Sequence, residues 1–318
     1  MIIKNNIRIR SISWLSTGNG VGDISSFYEP ETVDELKELC SAFYAKEQLF
    51  DLIGHTSNTL YINGYNCERM VSTRKLNRFL ISEQEIECEC GTSVRQLSIA
   101  AMEAGIKGFE GLIDLPGTVA ASIYGNAGCY GCSISNLLKE VTILTEYGKI
   151  ERVKRDWFAF SERSSALKRG EKRAIILSVI LNRENGDADV IKELADKNHA
   201  IRRATQPEAK NSLGSIFADS GKHTLLYWGL AAISQAYGIL LKLKGDNNEK
   251  IVNKRKHLTF VLLRATDVEP YIKQWNWYQW SDEKAHELFW KYVRLHQRMF
   301  TKSEFEIEIK HNSDFIIP

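Results

Sequence analysis

Apolar and polar positions along the chain fall into recognisable periods for most of its length. In "FYEPETVDELKELCSAFYAKEQLF" (27–50), Pro30 and Thr32 precede an amphipathic run. Thr32 and Glu35 have capping-box spacing, which predicts a helix over about 32–46. "LFDLIGHTSNTLYING" then reads as strand, loop, strand, and residues 69–91 alternate in β fashion. "SVRQLSIAAMEAGIKG" predicts a helix ending at Gly105. "LLKEVTILTEYGKIERV" predicts two strands around the Tyr147-Gly148 turn, and "KRAIILSVILNR" a further strand. A charged, helix-like linker, "ENGDADVIKELADKNHAIRRATQPEAKNS", leads to a more aromatic and more basic final region. There "KQWNWYQWSDEKAHELFWKYV" holds four of the seven tryptophans. It reads as helix core or as an aromatic patch for a protein partner near 275–290. Close to the end, "EFEIEIK" alternates so that Glu304, Glu306 and Glu308 share one strand face. Strands and helices thus mix in an α+β chain.

The periodicity fails at "GLIDLPGTVAASIYGNAGCYG" (111–131), too apolar for a linker and too rich in breakers for a helix or strand. Backbone N–H groups left out of a ladder and unscreened by Cβ atoms form a concave anion site. "GHTSN" (54–58) and "PGTVAASIYGNAG" (116–128) are two such loops, and together they would suit a diphosphate; the alternative is that both are plain turns. "GNGVG" (18–22) follows no apolar strand and opens no helix, so it is not a dinucleotide fingerprint.

Composition narrows the picture. The 318 residues are 43% hydrophobic with a formal net charge of +2, giving no reason to expect a nucleic acid or an anionic membrane as partner. No apolar run approaches about 18 residues and the start lacks an apolar signal core, so a cytoplasmic protein is expected. Of the six cysteines, Cys129 and Cys132 form a Cys-x-x-Cys pair, but no second pair and no histidine stand near it. Buried thiols are expected, and no metal.

"GFEGLIDLPGTVAASIYGNAGCYG" resembles the hallmark segment of the UDP-N-acetylenolpyruvoylglucosamine reductases, also called UDP-N-acetylmuramate dehydrogenases. "LIGHTSNTLY" resembles that family's glycine-rich Ser-Asn loop, and "YEPETVDEL" its Pro-x-Thr-x-x-Glu-Leu segment. "RSSALK", "RRATQP", "GSIF" and "EFEI" follow in family order, over about three quarters of the chain. The resemblance implies a FAD-binding domain of the vanillyl-alcohol-oxidase type in two subdomains (1–195, divided near 62–68). It also implies a C-terminal α+β substrate-binding domain (196–318) whose last strand, near 304–310, carries a catalytic glutamate. It implies non-covalent FAD held by Gly54, His55, Thr56, Ser57, Asn58 and Thr59, by Pro116, Gly117, Thr118, Ser122, Asn126 and Ala127, and by Ile175. His55 and Thr56 stand where the family has glycines. A position needing φ > 0 would be strained there.

The implied reaction is a two-stage hydride transfer, from NADPH to flavin and then to the vinyl CH₂ carbon of UDP-N-acetylglucosamine enolpyruvate, in peptidoglycan precursor synthesis. Charge developing at the adjacent carbon calls for a cation near the carboxylate, a further acid–base group and a proton donor. The resemblance places Arg163, Glu306 and Ser215 in these roles, with Glu304 or Glu308 as alternative registers for the glutamate. It thins over 218–257, where "KGDNNEKIVNKRKHLTF" replaces a substrate-lining segment. Two other readings stay open. One is a flavoenzyme of the same fold acting on another unsaturated nucleotide sugar in surface-polysaccharide synthesis; the other is a non-catalytic flavin-binding interaction protein.

Overall fold

The structure is a computed structural model. It describes residues 1–8, 22–62, 64–206, 212–219, 221–280 and 282–313, so most of the "GNGVG" segment and part of the "TQPEAKNS" segment lie outside the described residues.

The first lobe is built from β1 (Ile2–Arg8), β2 (Asp23–Glu29), α1 (Val33–Ala45), β3 (Asp51–Ile53), β4 (Thr59–Tyr61) and β5 (Asn66–Ser72). Its sheet has the order β1-β2-β5-β3, antiparallel at β1/β2 and parallel elsewhere. Thr32 caps α1 by accepting the Glu35 N–H at 3.1 Å, as its spacing predicts. The Glu35 carboxylate instead accepts from the Glu31 N–H and the chain's amino terminus, both at 2.8 Å.

The second lobe holds β6 (Phe79–Ile81), β7 (Glu85–Glu89), α2 (Val94–Glu103), α3 (Val119–Tyr124), β8 (Gly128–Cys129), β9 (Cys132–Ser133), α4 (Ile134–Leu137), β10 (Leu138–Thr145), β11 (Ile150–Lys154), β12 (Ala174–Asn182) and α5 (Ala188–Thr205). Its antiparallel sheet runs β11-β10-β12-β7-β6. β12 is the central strand; residues of both its faces are buried, and α1 and α3 pack against it. The chain changes sheet across 73–78, later than the 62–68 expected from the sequence, because β5 still pairs with β2 and β3.

The remainder comprises β13 (Phe217–Asp219), α6 (Leu225–Leu243), α7 (Asn248–Leu262), β14 (Ile272–Gln274), β15 (Trp277–Tyr278), α8 (Glu283–Met299), β16 (Glu304–Phe305) and β17 (Glu308–Lys310). Its core is aromatic. Trp280 is 2% exposed and packs on Tyr278 and Phe289, while Trp275 and Trp290 lie half-buried against the same core. The aromatic segment at 275–290 thus contributes to this core. No helix among the described residues is long and apolar enough to cross a membrane.

"EFEIEIK" is not one strand. β16 pairs with β13, whereas β17 turns away to lie parallel to β4, so Glu306 sits at the bend between two partners. The "CYGC" spacing is that of a tight hairpin: Cys129 pairs with Cys132 across a turn whose residues, Tyr130 and Gly131, both have positive φ. Cys40, Cys67, Cys88 and Cys90 are buried, and desolvation pushes the Cys40 and Cys88 thiols up to about 12.

Candidate functional site

A cavity of about 800 Å³ lies between the two lobes, in the size range of cofactor pockets. Gly54 to Thr59 line it on one side, Gly117 and Thr118 on another, and Ile175 of β12 forms part of its floor. The two loops touch. A Cβ on Gly54 would lie 2.7 Å from the Thr118 hydroxyl oxygen, and one on Gly117 would lie 3.2 Å from Ser57 Oγ. Gly117 also has φ +118°, a conformation that L side chains rarely adopt. No hydrogen bond among the described residues is made by the backbone N–H of His55, Ser57, Asn58, Gly117 or Thr118. Five uncommitted donors around one cavity are the donor set a diphosphate requires, so the residues present fit FAD.

Side-chain charge adds little to this cradle. Lys168, Arg173 and Lys310 line the cavity, but each faces an acid: Glu308 at 3.0 Å, Glu146 at 4.0 Å and Asp51 at 2.9 Å. Burial, aided by Arg74, pushes the His55 imidazole below its ordinary value, so it is neutral at pH 7. Thr56 has φ +53°, the left-handed conformation that its replacement of a glycine makes costly. Its hydroxyl donates to the His55 carbonyl at 2.8 Å.

Part of the expected bare backbone is in fact committed. Residues 119–124 form α3, capped by Thr118, whose Oγ1 accepts the Ala121 N–H at 3.3 Å. The Val119 and Ala120 N–H groups bond to the Thr92 and Cys90 carbonyls, and the Ala127 N–H to that of Ser122. Pro116, Ser122, Asn126 and Ala127 do not line the cavity. Asn126 instead donates to the Ser161 carbonyl at 2.7 Å and accepts from Ser133 at 3.0 Å, bracing the turn that carries Arg163. The first-turn donors of this short helix are taken by the Thr92 and Cys90 carbonyls and the Thr118 hydroxyl, so among the described residues of 116–121 Gly117 and Thr118 keep theirs for a ligand.

Next to this cradle, distant parts of the chain meet. Ser161 and Ser164 close a turn on each other with Arg163 at φ +52°, where turns favour glycine or asparagine. Two nitrogens of the Arg163 guanidinium are held. Nη1 donates to the Gly128 carbonyl at 2.7 Å, and Nε lies 3.3 Å from Glu306 Oε1. Burial pushes the Glu306 carboxyl above its ordinary value, against the opposing pull of Arg163 and Lys168. The Glu306 N–H donates to the Ile216 carbonyl at 2.9 Å, which brings neighbouring Ser215 into the same corner. Asn58 Nδ2 and Lys168 Nζ donate to the Glu306 carbonyl at 3.1 and 3.4 Å, and the Glu308 N–H to the Asn58 carbonyl at 2.8 Å. Asn58 thereby ties the cradle to the corner. Lys168, in "RSSALK", also reaches this corner, which sequence spacing does not reveal because it leaves a long lysine side chain unaimed.

A sequence profile described as "FAD binding domain" matches residues 24–154. The UDP-N-acetylenolpyruvoylglucosamine reductase of Anoxybacillus flavithermus is 31% identical over 217 residues, 68% of this chain and 70% of that protein. The chain belongs to the UDP-N-acetylenolpyruvoylglucosamine reductase family. The reductase of Listeria innocua is 25% identical over 279 residues, 84% of this chain and 92% of that protein. The crystal structure of the corresponding reductase from Thermus caldophilus superposes with a TM-score of 0.67, covering 98% of this chain and all of that one at 20% identity, a likeness of fold. The α+β fold with a FAD domain of the vanillyl-alcohol-oxidase type follows, and family membership makes the chain a FAD-dependent oxidoreductase.

Proposed function

We propose that this chain reduces the enolpyruvyl group of UDP-N-acetylglucosamine enolpyruvate, with NADPH as hydride donor, to give UDP-N-acetylmuramate for peptidoglycan synthesis in the cytoplasm. The reductase names of its relatives supply the substrate class. The observation that carries the reading is the meeting of Arg163, Glu306 and the Ser215 segment beside the donor-lined cavity. FAD, when bound, stores and passes on a hydride.

The chain's own residues do the rest. Arg163 keeps guanidinium N–H groups beyond those given to Gly128 and Glu306, and its planar fork suits the substrate carboxylate. It stabilises charge that grows toward that carboxylate. Ser215 Oγ–H gives its proton to the carbon next to the carboxylate. Serine is a weak acid, so this needs a basic carbon and a site from which water is excluded. Glu306 fixes the guanidinium and offsets its charge until substrate arrives.

The test is anaerobic spectroscopy. NADPH is expected to bleach the flavin and UDP-N-acetylglucosamine enolpyruvate to restore its colour rapidly, with Ser215→Ala slowing the second step by about 10²–10⁴-fold. Restoration at the wild-type rate in that variant would remove Ser215 from the reaction. A second reading, another unsaturated nucleotide sugar as substrate, is favoured by the α6–α7 hairpin standing where a substrate-lining segment was expected. A flavin bleached by NADPH but left reduced by this substrate would select it.

A further inference from the structure

Cys129 and Cys132 have no part in the cradle or in the proposed reaction, yet the fold sets their thiols side by side. They stand opposite each other on β8 and β9. Residues directly opposite in an antiparallel pair point to the same face, with Cα atoms about 4.5–5.5 Å apart. Disulfides span Cα separations of about 4.4–6.8 Å, so this pair can be bridged without unpairing the strands. The turn between them, Tyr130 at φ +48° and Gly131 at φ +81°, is of the tight kind that keeps such partners opposed. All six cysteines are free thiols and four are buried; Cys129 and Cys132 are the two that solvent reaches.

Their surroundings differ. Burial raises both thiols above the ordinary range. Arg202 and Arg163 oppose it at Cys129, while at Cys132 the Gly111 N–H opposes it and Glu110 adds to it. Cys132 Sγ accepts the Gly111 N–H at 3.3 Å and lies 3.9 Å from Glu110 Oε2. Two guanidiniums thus favour the thiolate at Cys129 and draw an anionic reagent toward it.

The residue next to each cysteine helps to hold Arg163. The Gly128 carbonyl accepts Arg163 Nη1 at 2.7 Å. Ser133 Oγ donates to Asn126 at 3.0 Å, and Asn126 donates at 2.7 Å to the Ser161 carbonyl of the turn that carries Arg163. Bridging draws Cβ atoms from the roughly 4.5–5.5 Å of facing strand residues to about 3.8 Å. A movement of about 1 Å then reaches both supports, and a misplacement of that size costs up to about 10²-fold in rate.

We propose that Cys129 and Cys132 form a modification site, a dithiol that closes reversibly to a disulfide by exchange with a small anionic disulfide of the oxidised-glutathione type, and that closure loosens the hold on Arg163. The Cys129 sulfur attacks one sulfur of the reagent and releases one thiol; the Cys132 sulfur then displaces the other. The reagent takes two electrons and both thiol protons and leaves as two thiols. The effect on rate rests on the reaction proposed above; the disulfide does not.

The test equilibrates the FAD-loaded protein over a series of reduced to oxidised glutathione ratios, then quenches it with acid, unfolds it and alkylates it. At the oxidising end, mass spectrometry is expected to find Cys129 joined to Cys132, two hydrogen atoms lost and the other four cysteines alkylated. In that form, reoxidation of the reduced flavin by UDP-N-acetylglucosamine enolpyruvate should slow at least about tenfold and recover with dithiothreitol. The double variant Cys129→Ser, Cys132→Ser should show neither change. Two thiols alkylated at every ratio, a glutathione adduct that never resolves, or a link between two copies overturns the proposal. So does a disulfide that leaves the rate unchanged, or a slowing that the double variant shares. Should the fully reduced wild type fail to react with this substrate, the proposed reaction falls, and the mass measurement still decides the site.

Discussion

The cofactor cradle and the catalytic corner adjoin each other, yet they are made of different material. The cradle is backbone: the N–H groups of two loops around a cavity, with its cations already paired to Glu308, Glu146 and Asp51. The corner is side chain: a guanidinium, a carboxylate and a hydroxyl-bearing segment brought together from three parts of the chain. The cradle therefore tolerates changes of residue type that leave φ and close approach intact. The corner tolerates changes of backbone that leave its functional groups in place. His55 and Thr56 fit this contrast, since they alter the identities of a glycine loop and still leave the His55 N–H uncommitted. Their cost is conformational, at Thr56.

The largest effect that separates the two regions is expected at Arg163. Arg163→Lys keeps the charge and loses the fork, and should lower turnover by about 10²–10³-fold while FAD per protein stays at the wild-type level. Steady-state rates read against flavin absorbance check both halves of that statement; lost flavin would mean the corner also builds the cradle. Gly117→Val is the converse. The φ of +118° and the approach to Ser57 should weaken FAD binding about tenfold or more, leaving the turnover of fully reconstituted protein near wild type. Titration of the apoprotein with FAD reads the first number, and a collapse of turnover in the reconstituted protein would merge the two regions.

The smallest effect concerns Glu306. Its carboxyl is raised in the folded protein, so the fold binds that proton more tightly than the unfolded chain does. The resulting stability is in place below the unfolded value and is lost as pH rises through the folded one. Wild type should accordingly gain on Glu306→Gln as pH falls from about 7 toward about 5, in urea melts at the two pH values. A constant gap would mean that Arg163 fully offsets the burial.

The legible parts of the fold share a short range. Thr32 capping α1, the Tyr147-Gly148 turn between β10 and β11, and the β12 run each depend on neighbours within a few positions. Arg163, Glu306 and Ser215 were legible as a set only through the order of their motifs, and the structure adds the contacts among their segments. What was misread needed distant partners. The 119–127 donors looked free because Thr92 and Cys90, which accept from Val119 and Ala120, lie elsewhere in the sequence. The even alternation of "EFEIEIK" predicted one strand with its three glutamates on a shared face, but β13 claims its first part and β4 its second.

By itself, then, the sequence determined elements such as α1, α2, the β10–β11 hairpin and β12, the glycines of the two loops and the family to which they belong, because capping, turn chemistry and apolar period act over a few residues. Only the tertiary structure decided which N–H groups stay uncommitted, which of three glutamates meets Arg163, and that Trp275, Trp280 and Trp290 pack into the aromatic core while Trp228 stays exposed. A donor is used or spared, and a carboxylate buried or solvated, according to what packs against it from far along the chain. Local pattern carries no record of that neighbour.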